Sequence, residues 1–378
     1  MIIYFVIIII IVVMLVLLTW FTYVVYKCTG VDTVYFYRLD HTNVNEYVEP
    51  IKPILDIAEH KEYKLQKSNS YKESNFIMFK SLNQIDEFIH ILNYPKNVKY
   101  IYGINGTDLI VSKSILAYIL VSHYKSDAFD IIPTTYIPSM FTSKSELIQK
   151  LDNRTLYILK KNIQRQEGIV ISTRNDLNKL NLNDFVVIQE LLQDPFIHNK
   201  RKINIRIYLL VIVKKNRVSI YIYNNGFMYY TPKYFKPMST DIAENITTGY
   251  IDRQVYVENP LTLHDFYKVL SINDANKLQT NIKLTIQKCM MAYIETIKTK
   301  NKNIPGTKFS IFGCDIAPSS DLNVKIMEIN KGPDLSYKDK RDGDLKYNLV
   351  LESLMMVNMI KSKRESNFIK LFPSYKHI

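Results

Sequence analysis

The amino-acid sequence predicts an α+β protein. Short apolar runs with strand character recur from the middle of the chain onward, and segments with apolar residues three and four positions apart lie between them. With 378 residues, of which 47% are hydrophobic and 22% charged, the composition is that of a globular protein rather than a disordered or collagen-like one. This length allows one core built from two or three lobes.

The charge balance points to an anionic partner. Lysine and arginine number 49 against 36 aspartates and glutamates, which gives a net charge of +13 and a pI near 9.2. Such a surplus favours nucleotide phosphates, an acidic polypeptide, nucleic acid or an anionic membrane, although a solvated basic surface has the same composition. No basic stripe with interleaved aromatic residues is present, so we expect no nucleic-acid partner. Three cysteines without a C-x-x-C pair exclude a disulfide scaffold and a thiolate zinc site.

The first element in chain order is a long apolar run. No charged residue occurs from Ile2 to Tyr26, and about 20 apolar residues suffice for a helix to span a bilayer. A cleaved signal peptide would carry a basic region and a small-residue cleavage site, and a buried helix is rarely so apolar on every side. We therefore expect residues 1–27 to be a single-pass transmembrane anchor that contacts the membrane through residues 2–26. Lys27 at the end of the run favours a cytoplasmic position for the rest of the chain.

The segment after the anchor is less regular. Residues 28–74 are polar and weakly periodic, and we interpret them as a tether or lead-in. Compact structure is expected to begin near Phe76, with an N-terminal lobe over residues 75–150. Helical spacing of apolar residues predicts three helices in this lobe, at residues 82–92, 114–123 and 143–151.

From Thr155 onward the pattern changes to strands, and we assign residues 151–378 to two further lobes. Lys202 to Val213 begins with strict alternation and becomes continuously apolar, and residues 214–217 form a turn after it. Asn224-Asn-Gly226 is a second hairpin signal. The other predicted elements are strands at 155–159, 185–188 and 218–223, a helical region at 261–300, strands at 307–316 and 324–329, and a helix at 344–361.

Three oxygen-bearing side chains in the last strands predict a metal site. Glu328 and Asn330 lie two residues apart on an otherwise apolar strand, so their side chains point to the same face. A short turn over residues 318–321 lets the strand that carries Asp315 pair beside them. Two carboxylates and an amide oxygen suit Mg²⁺ bound together with nucleotide phosphates. The alternative is a polar strand end, with these groups capped by backbone or paired with Lys325 or Lys331.

A second constellation lies on the long alternating strand. Lys202, Asn204 and Arg206 share one face of it, and the isoleucines between them share the other. A row of cation, amide and cation fits a polyphosphate and a ribose. A solvent-facing sheet surface is the alternative, although such a surface normally mixes charges of both signs.

Two weaker signals accompany this row. Lys160 ends an apolar strand and is followed by a segment with Gly168, as a phosphate-covering loop would be. Gln189, Glu190 and Leu191 end a strand that runs into a connecting segment, where backbone groups can contact the edge of an adenine. An ordinary strand terminus is the alternative in both places.

Taken in order, these segments resemble the tubulin-tyrosine ligase-like family, whose catalytic lobes have the ATP-grasp fold of antiparallel sheets with flanking helices. The resemblance covers roughly Ile101 to Leu354, and its most specific parts are the last two motifs. The matching segments are 131–138 (IIPTTYIP), 157–160 (YILK), 187–192 (VIQELL), 201–210 (RKINIRIYLL), 309–315 (FSIFGCD) and 327–335 (MEINKGPDL).

The resemblance implies ATP and Mg²⁺ as cofactors, and it implies roles for the candidate residues. Lys160 and Arg206 would contact the phosphates and are the candidate catalytic residues. The other implied nucleotide-binding residues are Gln189, Glu190, Leu191, Lys202, Asn204 and Thr247, and the implied magnesium ligands are Asp315, Glu328 and Asn330.

This sequence departs from the family pattern around the same site. Asn204 replaces an aspartate, Thr248 an asparagine, and Gln166 a glycine of the phosphate loop. Tyr229 replaces an arginine that would neutralise charge near the transferred phosphate. Two interpretations stay open: an active ligase, or a non-catalytic nucleotide-binding scaffold with the same fold.

The preferred interpretation is a membrane-anchored amino-acid ligase. The family's chemistry implies activation of a carboxylate as an acyl phosphate, followed by attack of an amine to form an amide. The implied partners are a free amino acid and an acidic protein or peptide acceptor such as a tubulin tail, which suits the net charge of +13.

Overall fold

A computed structural model of the chain describes residues 11–17, 19, 33–39, 52–79, 98–162, 168–249 and 251–372, and it confirms the predicted mixture of helices and strands. The strands, in chain order, are β1 (Val34–Leu39), β2 (Leu65–Lys67), β3 (Phe76–Phe79), β4 (Tyr100–Tyr102), β5 (Thr135–Tyr136), β6 (Leu156–Lys160), β7 (Ile169–Thr173), β8 (Val187–Glu190), β9 (Ile197–His198), β10 (Arg201–Lys214), β11 (Arg217–Tyr230), β12 (Thr307–Pro318), β13 (Val324–Lys331) and β14 (Phe368–Lys370).

Two sheets organise the described residues. The larger has ten strands, in the order β14-β11-β10-β12-β4-β3-β1-β2, with β13 paired to β12 and β9 paired to β10. The strands from β9 to β14 pair antiparallel, whereas β12, β4, β3, β1 and β2 pair parallel in that order. The smaller sheet is antiparallel, in the order β5-β8-β6-β7. Most predicted site residues lie on β6 and β8 of the small sheet and on β10, β12 and β13 of the large one.

Helices accompany both sheets. The helical region predicted at 261–300 is divided into three, and the second helix begins after Ser271, which accepts a hydrogen bond from the Asp274 N–H. In the described residues the α-helices are Lys52–Glu59, Asp108–Val111, Lys113–Tyr124, Ala128–Ile131, Lys144–Gln149, Ile242–Asn245, Val255–Glu258, Leu263–Val269, Ile272–Met291, Ile294–Lys300 and Lys340–Met356.

The hairpin of β10 and β11 carries the second constellation. Its turn lies at Lys215, whose φ of 53° is left-handed, as the sequence predicts. The other hairpin signal, at Asn224 to Gly226, is wrong, because these residues form a bulge within β11 and the register with β10 shifts just after Ile207. A Cβ on Gly226 would lie 2.1 Å from the Arg206 carbonyl oxygen, so only a glycine permits this approach of the strands.

The N-terminal part of the chain belongs to the large sheet. We expected a tether over residues 28–74, but β1, β2 and the helix Lys52–Glu59 lie there, and Phe36 and Ile57 are fully buried in the main core. The sequence hides this role, because β1 is buried through parallel pairing with β2 and β3, which come later in the chain. The domain boundaries stay predictions, and the helix predicted at 82–92 lies outside the described residues.

The predicted membrane anchor is wrong. Within the described part of the chain, no helix is both long enough and apolar enough to cross a membrane. The described helical stretch of the apolar run covers seven residues, 11–17, and then Thr19. The rest of the run lies outside the described residues. The predicted single-pass localisation, with its membrane partner and cytoplasmic domain, is therefore contradicted by the helices that the structure describes.

Candidate functional site

Arg206, Asp315 and Glu328 form a row across three neighbouring strands. Arg206 of β10 is the register partner of Asp315 on β12, and Asp315 is the partner of Glu328 on β13. Asn330 lies two residues beyond Glu328, which places both side chains on one face of β13. The structure thus brings the three predicted metal ligands together with the predicted phosphate-binding arginine.

The guanidinium of Arg206 is bound to Asp315 by two hydrogen bonds. Nε donates to Oδ1 at 2.5 Å and Nη2 donates to Oδ2 at 2.8 Å, and both side chains are only 12% exposed. Burial opposes the charge on Arg206, but Asp315 together with Tyr229 and Tyr208 raises the pKa of Arg206 well above its usual value. Gly313 makes room for this geometry, since a Cβ there would lie 3.0 Å from Arg206 Cδ and Nη1.

The two carboxylates of the row respond differently to burial. Burial raises the pKa of Asp315, and the neighbouring Glu328 adds to this effect against the opposing charge of Arg206. Burial also acts to raise the pKa of Glu328, yet that pKa is lowered, because Asn330 Nδ2 donates to Glu328 Oε1 at 3.0 Å and the charge of Lys160 favours the carboxylate. Two adjacent buried carboxylates with a neighbouring amide form an oxygen donor set that fits Mg²⁺.

The lysines that could have paired with these carboxylates have other partners. Lys325 donates to the Phe129 carbonyl, and Lys331 forms an ion pair with Asp108. No group of three or more His, Cys, Asp or Glu side chains in the described ranges is arranged to hold a metal ion by itself. A magnesium ion here would therefore need oxygens from Asn330 and from a bound nucleotide in addition to the two carboxylates.

Two buried lysines lie beside the row, one from each sheet. Lys160 ends β6 and is 7% exposed, and Lys202 lies near the start of β10 and is 3% exposed. Burial lowers the pKa of each to about 8, Lys160 adds to the effect on Lys202, and Glu328 opposes it at Lys160. No ion pair within the described part of the chain neutralises either lysine. An anion would stabilise two desolvated ammonium groups that lie close together, so this arrangement favours a phosphate ligand.

The segment predicted to contact adenine is partly engaged in the small sheet. Gln189 is 5% exposed, and its Nε2 donates to Thr135 Oγ1 at 2.9 Å, while its buried Oε1 has no partner among the described atoms. The backbone N–H groups of Glu190 and Leu191 donate to carbonyls of neighbouring segments. An adenine edge would therefore meet the amide oxygen and carbonyl groups rather than these two N–H groups.

The departures from the family pattern lie around β11. Asn204 pairs with Tyr229 across β10 and β11, and its buried Oδ1 has no partner in the described structure. The Tyr229 ring centre lies 5.4 Å from the guanidinium carbon of Arg206. Thr247 and Thr248 are buried next to this strand, and Thr248 forms a bridge to its last residue. An aromatic ring thus stands beside Arg206 where the family pattern has a second arginine.

Lys113 is a site residue that the sequence patterns did not reveal. It is the first residue of the helix Lys113–Tyr124, and its charge lowers the pKa values of both Lys160 and Glu328. A cation at a helix N-terminus is unfavourable with the helix dipole, and this misplaced charge is the signal that could have identified it. Lys113 lines a cavity together with Gln189 and Glu328, between its own helix and β13.

The two sheets, with buried lysines beside a row of carboxylates, define a protein of the ATP-grasp class. The chain belongs to the tubulin-tyrosine ligase family, whose model matches residues 58–367. The resemblance found in the sequence is therefore confirmed.

Several tubulin-modifying enzymes are similar to this chain. Human tubulin polyglutamylase TTLL7 is 25% identical over an alignment of 331 residues that covers 79% of this chain and 36% of that protein. Tubulin polyglutamylase TTLL7 of Xenopus tropicalis is 26% identical over an alignment of 305 residues that covers 73% of this chain and 33% of that protein. Tubulin glycylase 3B of Drosophila melanogaster is 25% identical over an alignment of 206 residues that covers 49% of this chain and 26% of that protein. The chain spans about a third, or less, of the length of these relatives.

Proposed function

We propose that the chain is an ATP- and Mg²⁺-dependent amino-acid ligase that joins a free amino acid to an acidic protein acceptor through an acyl phosphate. The observation that carries the proposal is the position of Lys160 and Lys202, buried and unneutralised, beside the row of Arg206, Asp315 and Glu328. A polyphosphate with a bound divalent cation matches both groups, because its oxygens suit the lysines and its metal suits the carboxylates. Membership of the tubulin-tyrosine ligase family supports the same assignment.

The protein's contribution in this proposal is positioning and charge neutralisation. A substrate carboxylate attacks the terminal phosphorus of ATP and ADP leaves; an amine then attacks the acyl carbon, phosphate leaves, and the nitrogen loses a proton. Lys160 and Arg206 would bind the phosphate oxygens as charge develops on them. Asp315, Glu328 and Asn330 would hold Mg²⁺, which neutralises charge on the transferred group when bound.

Two buried amide oxygens support nucleotide binding at the same place. Gln189 Oε1 and Asn204 Oδ1 are buried and have no partner in the described structure, and an unmet buried acceptor is unfavourable. In our proposal Gln189 accepts from the adenine amine and Asn204 from a ribose hydroxyl. Lys202 lies two residues before Asn204 and would bind a phosphate next to the same ribose, and the other predicted contacts are Glu190, Leu191 and Thr247.

The proposed acceptor is an acidic polypeptide, with a tubulin tail as the first candidate. The relatives are named as a tubulin polyglutamylase and a tubulin glycylase, and both names describe enzymes that join an amino acid to tubulin. The net charge of +13 favours encounter with an acidic chain by long-range attraction.

An ATP-consumption assay tests the proposal. The full chain, incubated with MgATP, each amino acid in turn and acidic peptides, should release ADP and add an amino acid to the peptide, which mass spectrometry detects. Glu328→Gln should lower the rate by about 100-fold or more, because it removes a charge from the site. Glu295→Gln is the matched control, since the side chain of Glu295 is 78% exposed and pairs only with Lys298 at the surface. Equal rates for the wild type and Glu328→Gln would contradict the site assignment.

A non-catalytic nucleotide-binding scaffold is the second candidate function. The specific observation in its favour is Tyr229, whose ring lies 5.4 Å from Arg206 in place of a second guanidinium. Such a protein would bind MgATP and be stabilised by it, but no combination of amino acid and acidic peptide would cause ADP release. The same assay therefore separates the two candidates.

A further inference from the structure

We infer that the ion pair of Arg206 and Asp315 is a latch that couples nucleotide binding to divalent-cation binding, so that each ligand binds weakly without the other. The inference rests on the proposed function, because it concerns the same site. It adds a property that the proposed roles do not contain: the phosphate-binding cation and the metal-binding carboxylate are each other's partner and must exchange partners together.

The pair engages one edge of the Arg206 guanidinium and both oxygens of the Asp315 carboxylate. Arg206 uses Nε and Nη2 for Asp315, and Asp315 uses both carboxylate oxygens to accept them, at 2.5 and 2.8 Å. Both side chains are 12% exposed, so water can replace little of either bond. Gly313 lies against Arg206 Cδ and Nη1, where any larger residue would displace the guanidinium. A phosphate that takes this edge of the guanidinium, or a metal ion that takes these carboxylate oxygens in place of it, must therefore break the bidentate pair.

A divalent cation alone meets an unfavourable site. To bind the oxygens of Asp315 it must displace the guanidinium, and Arg206 is then a buried cation next to a second positive charge. Glu328 is the next carboxylate in the row, but it belongs to the same set of metal ligands. Breaking a buried ion pair by removing one partner is strongly unfavourable. The metal therefore binds well only when another anion receives Arg206.

A nucleotide alone meets the opposite difficulty. If a phosphate takes Arg206, Asp315 is left buried beside Glu328, its register partner, and the two adjacent carboxylates then lack the cation that is paired with Asp315. When nucleotide and metal bind together, the guanidinium moves to the phosphate and the carboxylate moves to the metal. No buried charge is then unpaired. The coupling must be equal in both directions, because it is a property of the equilibrium.

Calorimetry with a non-hydrolysable ATP analogue tests the latch. The wild type should bind the analogue about 100-fold more tightly in excess Mg²⁺ than in EDTA, which is within the usual range of coupling between two ligands. Asp315→Asn should bind the analogue in EDTA more tightly than the wild type does, by about 10-fold, because the neutral amide releases the guanidinium; its Mg²⁺ dependence should fall to a few-fold. If Asp315 is a metal ligand and nothing more, the affinity in EDTA stays at the wild-type value, and the latch is refuted.

Glu328→Gln is the matched control, because it removes the same charge from the same row without releasing Arg206. A general electrostatic effect would raise the metal-free affinity equally in both variants, and that result would also overturn the latch. If the wild type does not bind the analogue even with Mg²⁺, there is no nucleotide site, and both the proposed function and the latch are refuted. A wild type that binds it without the increase in Asp315→Asn would overturn the latch alone.

A second variant keeps the test decisive if Asp315→Asn does not fold. Arg206→Gln keeps both carboxylates and removes the guanidinium, so Mn²⁺ alone should bind about 10-fold more tightly than it binds the wild type. Electron paramagnetic resonance of free Mn²⁺ measures this without nucleotide or turnover. Unchanged Mn²⁺ affinity in a variant that melts cooperatively would show that the arginine does not hold the carboxylate away from the metal.

Discussion

Lys202 is 3% exposed, and burial lowers its pKa to about 8 from an ordinary value of 10.5. One pKa unit corresponds to about 1.4 kcal/mol, so holding this residue charged in the folded protein opposes folding by up to about 3 kcal/mol at neutral pH. Lys202→Met removes the charge and keeps the apolar stem. Without nucleotide, this variant should have a higher free energy of unfolding in urea than the wild type. It should also lose the stabilisation by MgATP, because the removed charge would bind phosphate.

The direction of the pKa shift also fixes the pH dependence of this effect. The pKa of Lys202 is lower in the folded chain, so its destabilising contribution is fully present below pH 8 and disappears as the pH rises towards 10.5. The difference between Lys202→Met and the wild type should shrink over that range. Lys308→Met is the control: burial lowers the pKa of Lys308 to about 8 as well, but its Nζ donates to the Ile304 carbonyl at 2.6 Å. Loss of stability in both variants would make Lys202 a structural residue.

At the scale of elements, the bulge in β11 fixes where Arg206 stands. A Cβ on Gly226 would lie 2.1 Å from the Arg206 carbonyl oxygen, and a backbone atom cannot move aside as a side-chain end can. Gly226→Ala should lower the free energy of unfolding by about 1–3 kcal/mol, as overpacking does, and weaken MgATP binding by displacing Arg206. Gly249→Ala is the comparison, because its Cβ would make an ordinary contact 3.4 Å from the Tyr229 ring. Chemical denaturation and calorimetry measure both variants, and equal effects would show that the bulge has no special role.

The sequence predicts the local part of this site better than the long-range part. Alternation along β10 places Lys202, Asn204 and Arg206 on one face, and the spacing of Glu328 and Asn330 does the same on β13, because the strand period is a local property. That Arg206 pairs with a carboxylate on β12 could not be read from either strand, since register between distant segments depends on packing. Lys113 escaped detection for the same reason, because its helix carries no site motif of its own.

At the scale of the whole molecule, an aromatic contact path joins the N-terminal strands to the site. The ring centres of Phe36 on β1 and Phe76 on β3 lie 6.5 Å apart, and those of Phe76 and Phe309 on β12 lie 5.7 Å apart. β12 also carries Asp315. Local polarity over residues 28–74 could not reveal this, because burial there depends on strands that come later in the chain. The span predicted from the long apolar run rested on hydropathy alone, and the part of the chain that the structure describes contains no helix able to cross a membrane.

Phe36→Ala tests whether the N-terminal strands and the strands that carry the candidate site are one cooperative unit. Phe36 is fully buried, whereas its neighbour Tyr35 is 41% exposed on the same strand. Truncating a buried phenylalanine should lower the free energy of unfolding by about 3–5 kcal/mol, and MgATP binding should be lost in that same transition. Tyr35→Ala, the control, should change stability by about 1 kcal/mol or less. Urea unfolding measures both effects, with circular dichroism reporting the folded structure and the fluorescence of a bound fluorescent ATP analogue reporting the site. If residues 28–74 were only a tether, Phe36→Ala would leave both curves where the wild type has them.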